Sequence, residues 1–171
     1  SGETATPFRQ RRGKTDPAPG EGGFIAGDDF AGDAQFVPSN NAVTLIEIAR
    51  LRPSEEVDAA HVSCIAGSRR RDGFQRQPIL VERTSLAILD GHHRYHAAIR
   101  LGLSRIAAIV ISYGDPRLSL QSWSDRQFTP DEVIQAAMSQ KLLPRKSTRH
   151  VLAPPAQEHA FALAALQPVR A

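Results

Sequence analysis

The chain has 171 residues, 41% of them hydrophobic and 23% charged, enough for one ordinary core and too few for two large ones. No apolar run approaches the roughly 18 residues of a membrane span, no secretory signal opens the chain, and the single cysteine, Cys64, can form neither an intrachain disulfide nor a cysteine zinc set, which predicts a cytoplasmic protein with no membrane partner. The formal charge of +3 divides unevenly: residues 1–40 carry four Lys/Arg against six Asp/Glu, leaving seventeen against twelve beyond, a balance near +5 that suits a phosphate-bearing ligand.

Residues 1–39 hold seven of the twelve glycines with Pro7, Pro17, Pro19 and Pro38 and show no helical or strand periodicity, so they read as a flexible arm ahead of a single domain over residues 40–171. The basic cluster Arg9 to Lys14 reads as solvated tail, and nucleic acid is not the expected partner. Val43, Leu45, Ile46 and Ile48 predict a first strand that ends at Arg52-Pro53. Ser54, followed by Glu55, Glu56 and Val57, predicts a helix start; the stripe Val57, His61, Val62, Cys64, Ile65 continues it to Gly67 and places Cys64 in the core. Ser68 to Gly73 then reads as a basic loop.

Pro78 to Val81 and Leu86 to Leu89 predict a hairpin about the turn Glu82 to Ser85. His92 to Leu101 has helical spacing with Gly102 placed to end it, Arg105 to Ser112 is a buried strand, and Leu118 to Trp123 a weaker one. Thr129-Pro130-Asp131-Glu132 carries an N-cap, a proline at the first helical position and a capping-box glutamate, so a helix runs to about Lys141. A polar segment, Leu143 to His150, follows, and the Ala/Leu-rich stretch from about Gln157 to Leu166 predicts a last helix.

Two segments carry chemistry. In Asp90-Gly91-His92-His93-Arg94 a strand feeds straight into a helix, bringing the first backbone N–H groups and the positive end of the dipole beside two imidazoles and a guanidinium, an anion site. Arg94 can take phosphate bidentately, Gly91 permits close approach, and Asp90 is placed to hold a divalent cation against the same phosphates. His92 and His96 also share a helix face and could in principle bind zinc, but a metal-hydrolase motif wants a glutamate where His93 stands. Lys146-Ser147-Thr148-Arg149-His150 gathers two cations, two hydroxyls and an imidazole, donors for a small acidic substrate or for nucleotide phosphates. Trp123 reads equally as a wall of such a site or as core.

DGHHR after a short strand resembles the phosphate motif of the ParB/sulfiredoxin superfamily, and more narrowly of its free L-serine kinase branch. Arg52-Pro53-Ser54-Glu55 resembles that branch's Pro-x-Glu signature, Phe74 to Leu80 its segment ending in Pro-x-Leu, and Lys146 to His150 its Lys-Thr-Thr-Arg-His, with Ser147 in place of a threonine. The resemblance covers roughly residues 43–152. It implies an α/β fold, a small mixed sheet flanked by helices, and a phosphotransferase that makes O-phospho-L-serine from L-serine and ATP or ADP with Mg2+. On that reading Glu55 is the general base and Asp90 the magnesium ligand. Gly91, His92, His93 and Arg94 bind the nucleotide phosphates, while Trp123, Lys146, Ser147, Thr148, Arg149 and His150 face the substrate. His92 stands where sulfiredoxins need a cysteine, and no helix-turn-helix domain of partition proteins is expected here. The rival reading is a ParB-like nucleotide-binding regulatory module that acts on DNA or a protein partner without turnover.

Overall fold

The structure, a computed structural model, describes residues 41–168. The predicted arm, residues 1–39, lies outside the described residues. Four strands, β1 (Val43–Glu47), β5 (Arg105–Ile111), β3 (Ile79–Glu82) and β4 (Ile88–Asp90), form one mixed sheet in that spatial order. β1 runs antiparallel to β5, β5 parallel to β3, and β3 antiparallel to β4, so the expected α/β fold with a small mixed sheet is what the chain adopts.

Alternate residues of these strands serve two cores, because the side-chain period of a strand is two. Ile79, Val81, Ile88, Ile106 and Ala108 pack on one face with Tyr95 and Ala98 of α2 (His92–Arg100). Leu80, Leu89, Ile109 and Ile111 pack on the other face with Val133 of α3 (Pro130–Ser139) and with Leu118 and Leu152. The last two belong to an antiparallel ribbon, β6 (Leu118–Ser122) with β7 (Thr148–Leu152). Helix α1 (Ala59–Asp72) lies against α2 through Val62, Ala66 and Ala97. Thr129 and Glu132 close the expected capping box of α3.

Five expectations need correction. The first strand ends at Glu47, where Ile48–Arg50 turns into a short 3-10 helix, rather than at Arg52-Pro53. The first helix begins at Ala59 with Asp58 as its N-cap, not at Ser54, because Ser54 is committed elsewhere. Its N–H donates to His92 Nε2 (3.2 Å) and its hydroxyl to the Ile88 carbonyl (2.9 Å), tertiary bonds that outweigh a local capping preference. The same helix continues through Gly67 and the expected basic loop to stop at Gly73, whose φ of +78° ends it in the left-handed conformation. Cys64 is exposed rather than core, since the buried stripe is Val62, Ala66 and Arg69 at helical spacing. No final helix forms: Phe161–Ala162 (β8) pairs with Phe74–Gln75 (β2), then Leu163–Leu166 makes a 3-10 turn with Leu166 fully buried. Phe161, Leu163 and Leu166 all reach the main core, a spacing that a single helical face would not satisfy.

Candidate functional site

A cleft of about 1070 Å³ opens between two walls. The first wall is the turn from β4 into α2. Gly91 sits there at φ +98°, and a Cβ on it would stand 2.5 Å from Ile79 Cγ2, so glycine is the residue the turn accepts. No side chain caps α2, which leaves the first-turn N–H groups and the helix dipole directed at the cleft.

The side chains beside that helix end are held from behind. His92 Nε2 accepts the Ser54 N–H, so the ring is neutral with its proton on Nδ1; burial, reinforced by neighbouring cationic groups, pulls it down to about 3. His93 Nε2 accepts the Asp58 N–H (3.1 Å), its ring stands edge-on to His61 at 4.7 Å, and burial also lowers it. Arg94 donates to the Pro78 carbonyl (2.7 Å) and to Asp90 Oδ2 (2.6 Å), while its own carbonyl accepts from the buried Arg69 (3.0 Å). Burial, then the charge of Arg94, lowers Arg69 to about 10.

The second wall is assembled across the chain. Backbone bonds from Leu143 N–H to the Ser54 carbonyl and from Glu56 N–H to the Leu143 carbonyl, both 2.9 Å, lay the two segments side by side. The buried Glu55 carboxylate then accepts from the Lys146 N–H, from the Thr148 N–H (3.1 Å) and from the Thr148 hydroxyl (3.1 Å). Burial pushes Glu55 above its ordinary value, and those hydrogen bonds oppose the rise without cancelling it. Trp123, 61% exposed, completes this side, and Arg149, which is not among the lining residues, lays its guanidinium 4.8 Å over the Trp123 ring.

Of the residues singled out from sequence, Glu55, Asp90, Gly91, His92, His93, Arg94, Trp123, Lys146 and Thr148 line this one cleft. Ser147 and His150 are buried behind it rather than among its lining residues. Ser147 donates to the Pro144 carbonyl (2.5 Å), and His150 Nε2 meets the Tyr113 hydroxyl at 2.8 Å. Burial brings His150 down to about 4, against the pull of the Leu89 backbone and Asp90. The KSTRH segment is therefore largely strand β7, not the loop its polarity suggests, with Thr148 and His150 turned inward and Arg149 outward.

Asp58, His61 and Arg145 also line the cleft and were not singled out. Arg145 Nη1 donates to Asp58 Oδ2 (2.6 Å), tying the second wall to the N-cap of α1. Arg145 directly precedes KSTRH, a signal open to reading; Asp58 could be found only with the true helix start. Among the described residues no three His, Cys, Asp or Glu side chains converge as a metal site. A magnesium ion needs fewer protein ligands if it arrives on a nucleotide, since one or two carboxylates with phosphates and water suffice. Asp90 fits that part: it is half exposed and commits only Oδ2 to Arg94.

A family profile, the ParB N-terminal domain, matches residues 33–121, more than half of the chain. The chain belongs to the ParB N-terminal domain family. Among curated relatives, a ParB-like protein of Sulfolobus acidocaldarius is 38% identical over 96 residues, which is 56% of this chain and 47% of the relative. An ATP-dependent L-serine kinase of Staphylothermus marinus is 31% identical over 83 residues, 46% of this chain and 33% of the relative. The chain thus matches less than half the length of either curated relative. Among solved structures, a free serine kinase variant with one glutamate replaced by glutamine, in complex with AMP, superposes with a TM-score of 0.68 at 13% identity. That match covers 77% of this chain and 97% of the kinase, a likeness of fold. No helix among the described residues is long and apolar enough to cross a membrane.

Proposed function

We propose that this ParB-family domain is a free L-serine kinase that transfers the terminal phosphoryl group of ATP or ADP to the serine hydroxyl. The observation that carries the reading is the convergence of a buried, proton-seeking Glu55, an uncapped helix N-terminus with Arg94, and the Lys146–Thr148 segment on one cleft. The curated kinase of Staphylothermus marinus and the free serine kinase structures with AMP and ADP support it.

In this reading the α2 N-terminus, Gly91, Arg94 and the Nδ1–H of His92 hold the phosphate chain, and His93 braces the turn. Lys146 and Arg149 take the serine carboxylate with Trp123 as a floor, while Ser147, Thr148 and His150 shape the strand that presents them. Glu55 removes the hydroxyl proton as the serine oxygen bonds to phosphorus, and the electron pair of the broken P–O bond leaves with ADP, or with AMP when ADP is the donor. Glu55 takes that proton once one of its present donors, the backbone N–H groups and the Thr148 hydroxyl, gives up its place as serine binds. Its raised pKa makes it the better base. Magnesium held by Asp90 would neutralise charge on the phosphates.

The test is incubation with L-serine, magnesium and each nucleotide, followed by mass spectrometry. O-phosphoserine is expected, and its absence with every nucleotide rejects the kinase. One observation favours the regulatory module instead: Glu55 already has a structural duty in pinning the Lys146–Thr148 backbone, which a binding protein would need without any base. Nucleotide binding without phosphoserine, accompanied by changed affinity for DNA or a protein partner, would select that reading.

A further inference from the structure

The cleft is close to neutral although its expected ligand is strongly anionic. Its cations are Arg69, Arg76, Arg94, Arg145 and Lys146, set against five acidic residues along the same lining. Two of these cations are held by carboxylates, Arg94 by Asp90 and Arg145 by Asp58, so phosphate gains the full reach of either only by drawing it from its partner. Arg94 stays where it is, its side chain 19% exposed and held by both Asp90 and the Pro78 carbonyl, so it meets phosphate without leaving its carboxylate.

Arg145 differs on each count. Its side chain is 60% exposed, its partner Asp58 40%, and a single guanidinium nitrogen bonds Asp58. An exposed ion pair of this kind contributes little, whereas a charge-assisted contact to phosphate contributes more, so exchange of partner is favourable. The pair also lies beside the phosphate wall. The Asp58 N–H bonds His93 Nε2 in the first turn of α2, and the charge of Arg145 is felt at His93. Arg145 stands next to Lys146, whose N–H is bonded to Glu55.

We infer that Arg145 is a nucleotide-phosphate ligand held in reserve by Asp58: on binding it exchanges the carboxylate for the phosphate chain, facing the α2 N-terminus from the opposite wall and drawing the Glu55-bound segment onto the donor. This deepens the kinase reading and rests on it for the identity of the ligand. Arg145 would bear on the oxygens of the group being transferred, where charge shifts as the terminal P–O bond breaks and the electron pair departs with the nucleotide. A planar fork suits that place better than an ammonium.

Calorimetry with ATP and with ADP, each with magnesium, tests the exchange on wild type, Arg145→Ala, Arg145→Lys, Asp58→Asn and the double variant. Arg145→Ala should weaken nucleotide binding roughly 10- to 100-fold, with Arg145→Lys recovering only part. Asp58→Asn retains an acceptor for the His61 N–H, so α1 stays capped, and it should tighten binding by frees of the guanidinium from its partner, a few-fold gain of about the size of an exposed ion pair. That gain should vanish in the Arg145→Ala background. Unchanged affinity in Arg145→Ala, or equal weakening and equal loss of melting temperature in Arg145→Ala and Asp58→Asn, would make the pair a structural tie and overturn the inference. A wild type that binds nucleotide without making phosphoserine rejects the kinase and leaves Arg145 to be judged on affinity; a wild type that binds no nucleotide rejects both.

Discussion

The two walls of the cleft are built by opposite means. The β4–α2 wall is five consecutive residues, Asp90 to Arg94, whose directions follow from one glycine turn and one helix. The Glu55 wall joins residues 91 and 93 positions apart through a carboxylate that accepts backbone N–H groups. A local wall keeps its shape wherever the helix packs, but the other holds only while a buried charge remains satisfied. The first suits a standing cradle for phosphate and the second suits a part that must answer to substrate.

The largest expected effect breaks the second wall alone. Glu55→Gln should lower phosphoserine formation roughly 100- to 10,000-fold while nucleotide affinity stays within a few-fold, measured by single-turnover kinetics and calorimetry. Because burial raises Glu55 above 4.5, the acid limb of kcat/KM should lie above that value in wild type and be lost in the variant. Full turnover in Glu55→Gln would place the base elsewhere.

Most of the first wall and of the sheet was legible in the sequence, for the same reason that makes that wall rigid. Strand alternation, the Asp-Gly junction and the capping box at Thr129 are local signals, and β1, the β3–β4 hairpin, α2, β5 and α3 followed them. What was illegible depends on partners distant in the chain. Ser54 carries a good N-cap side chain, yet His92 and the Ile88 carbonyl claim it from 38 and 34 positions away. Thr148 and His150 look like loop donors until β6 supplies a strand partner. The Glu55 resemblance could be noticed, but not its bonds to Lys146 and Thr148.

Each wall contains a residue at positive φ, which offers a second way to sharpen the contrast. Gly91 at +98° has Ile79 against its missing Cβ, whereas Lys146 at +58° occupies the left-handed region that side chains can enter. Gly91→Ala should destabilise by about 2 to 5 kcal/mol through combined strain and overlap. Lys146→Gly should leave the melting temperature nearly unchanged. Equal losses from both would mean that the two turns are equally constrained.

Acid should distinguish the walls more gently. His92 and His150 fall from 6.5 to about 3 and about 4, so between those values the unfolded chain binds protons that the folded chain refuses. Their contribution to stability is full above about 6.5 and is lost progressively as the pH falls toward 4. Glu55, raised by burial, runs the other way: its unfavourable burial is relieved as it protonates, above 4.5. Thermal melts should therefore show a falling midpoint below about pH 6.5, and a midpoint flat down to about pH 4.5 would contradict the buried, neutral imidazoles.

The smallest effect is expected from removing residues 1–39. Every residue assigned a part in either wall lies between Ser54 and His150, and the first described residue, Asn41, already has its own anchors. Its amide donates to the Pro154 carbonyl (3.1 Å) and its side-chain oxygen accepts from Arg117 (3.0 Å). The deleted stretch is rich in glycine and proline and poor in periodic apolar residues, a composition with little apolar surface to offer a core. Melting temperature, nucleotide affinity and phosphoserine formation should all match those of the full chain. A loss confined to turnover would assign the stretch to the substrate side of the cleft, a loss of nucleotide affinity to the phosphate side, and either would show that the two walls do not make the site by themselves.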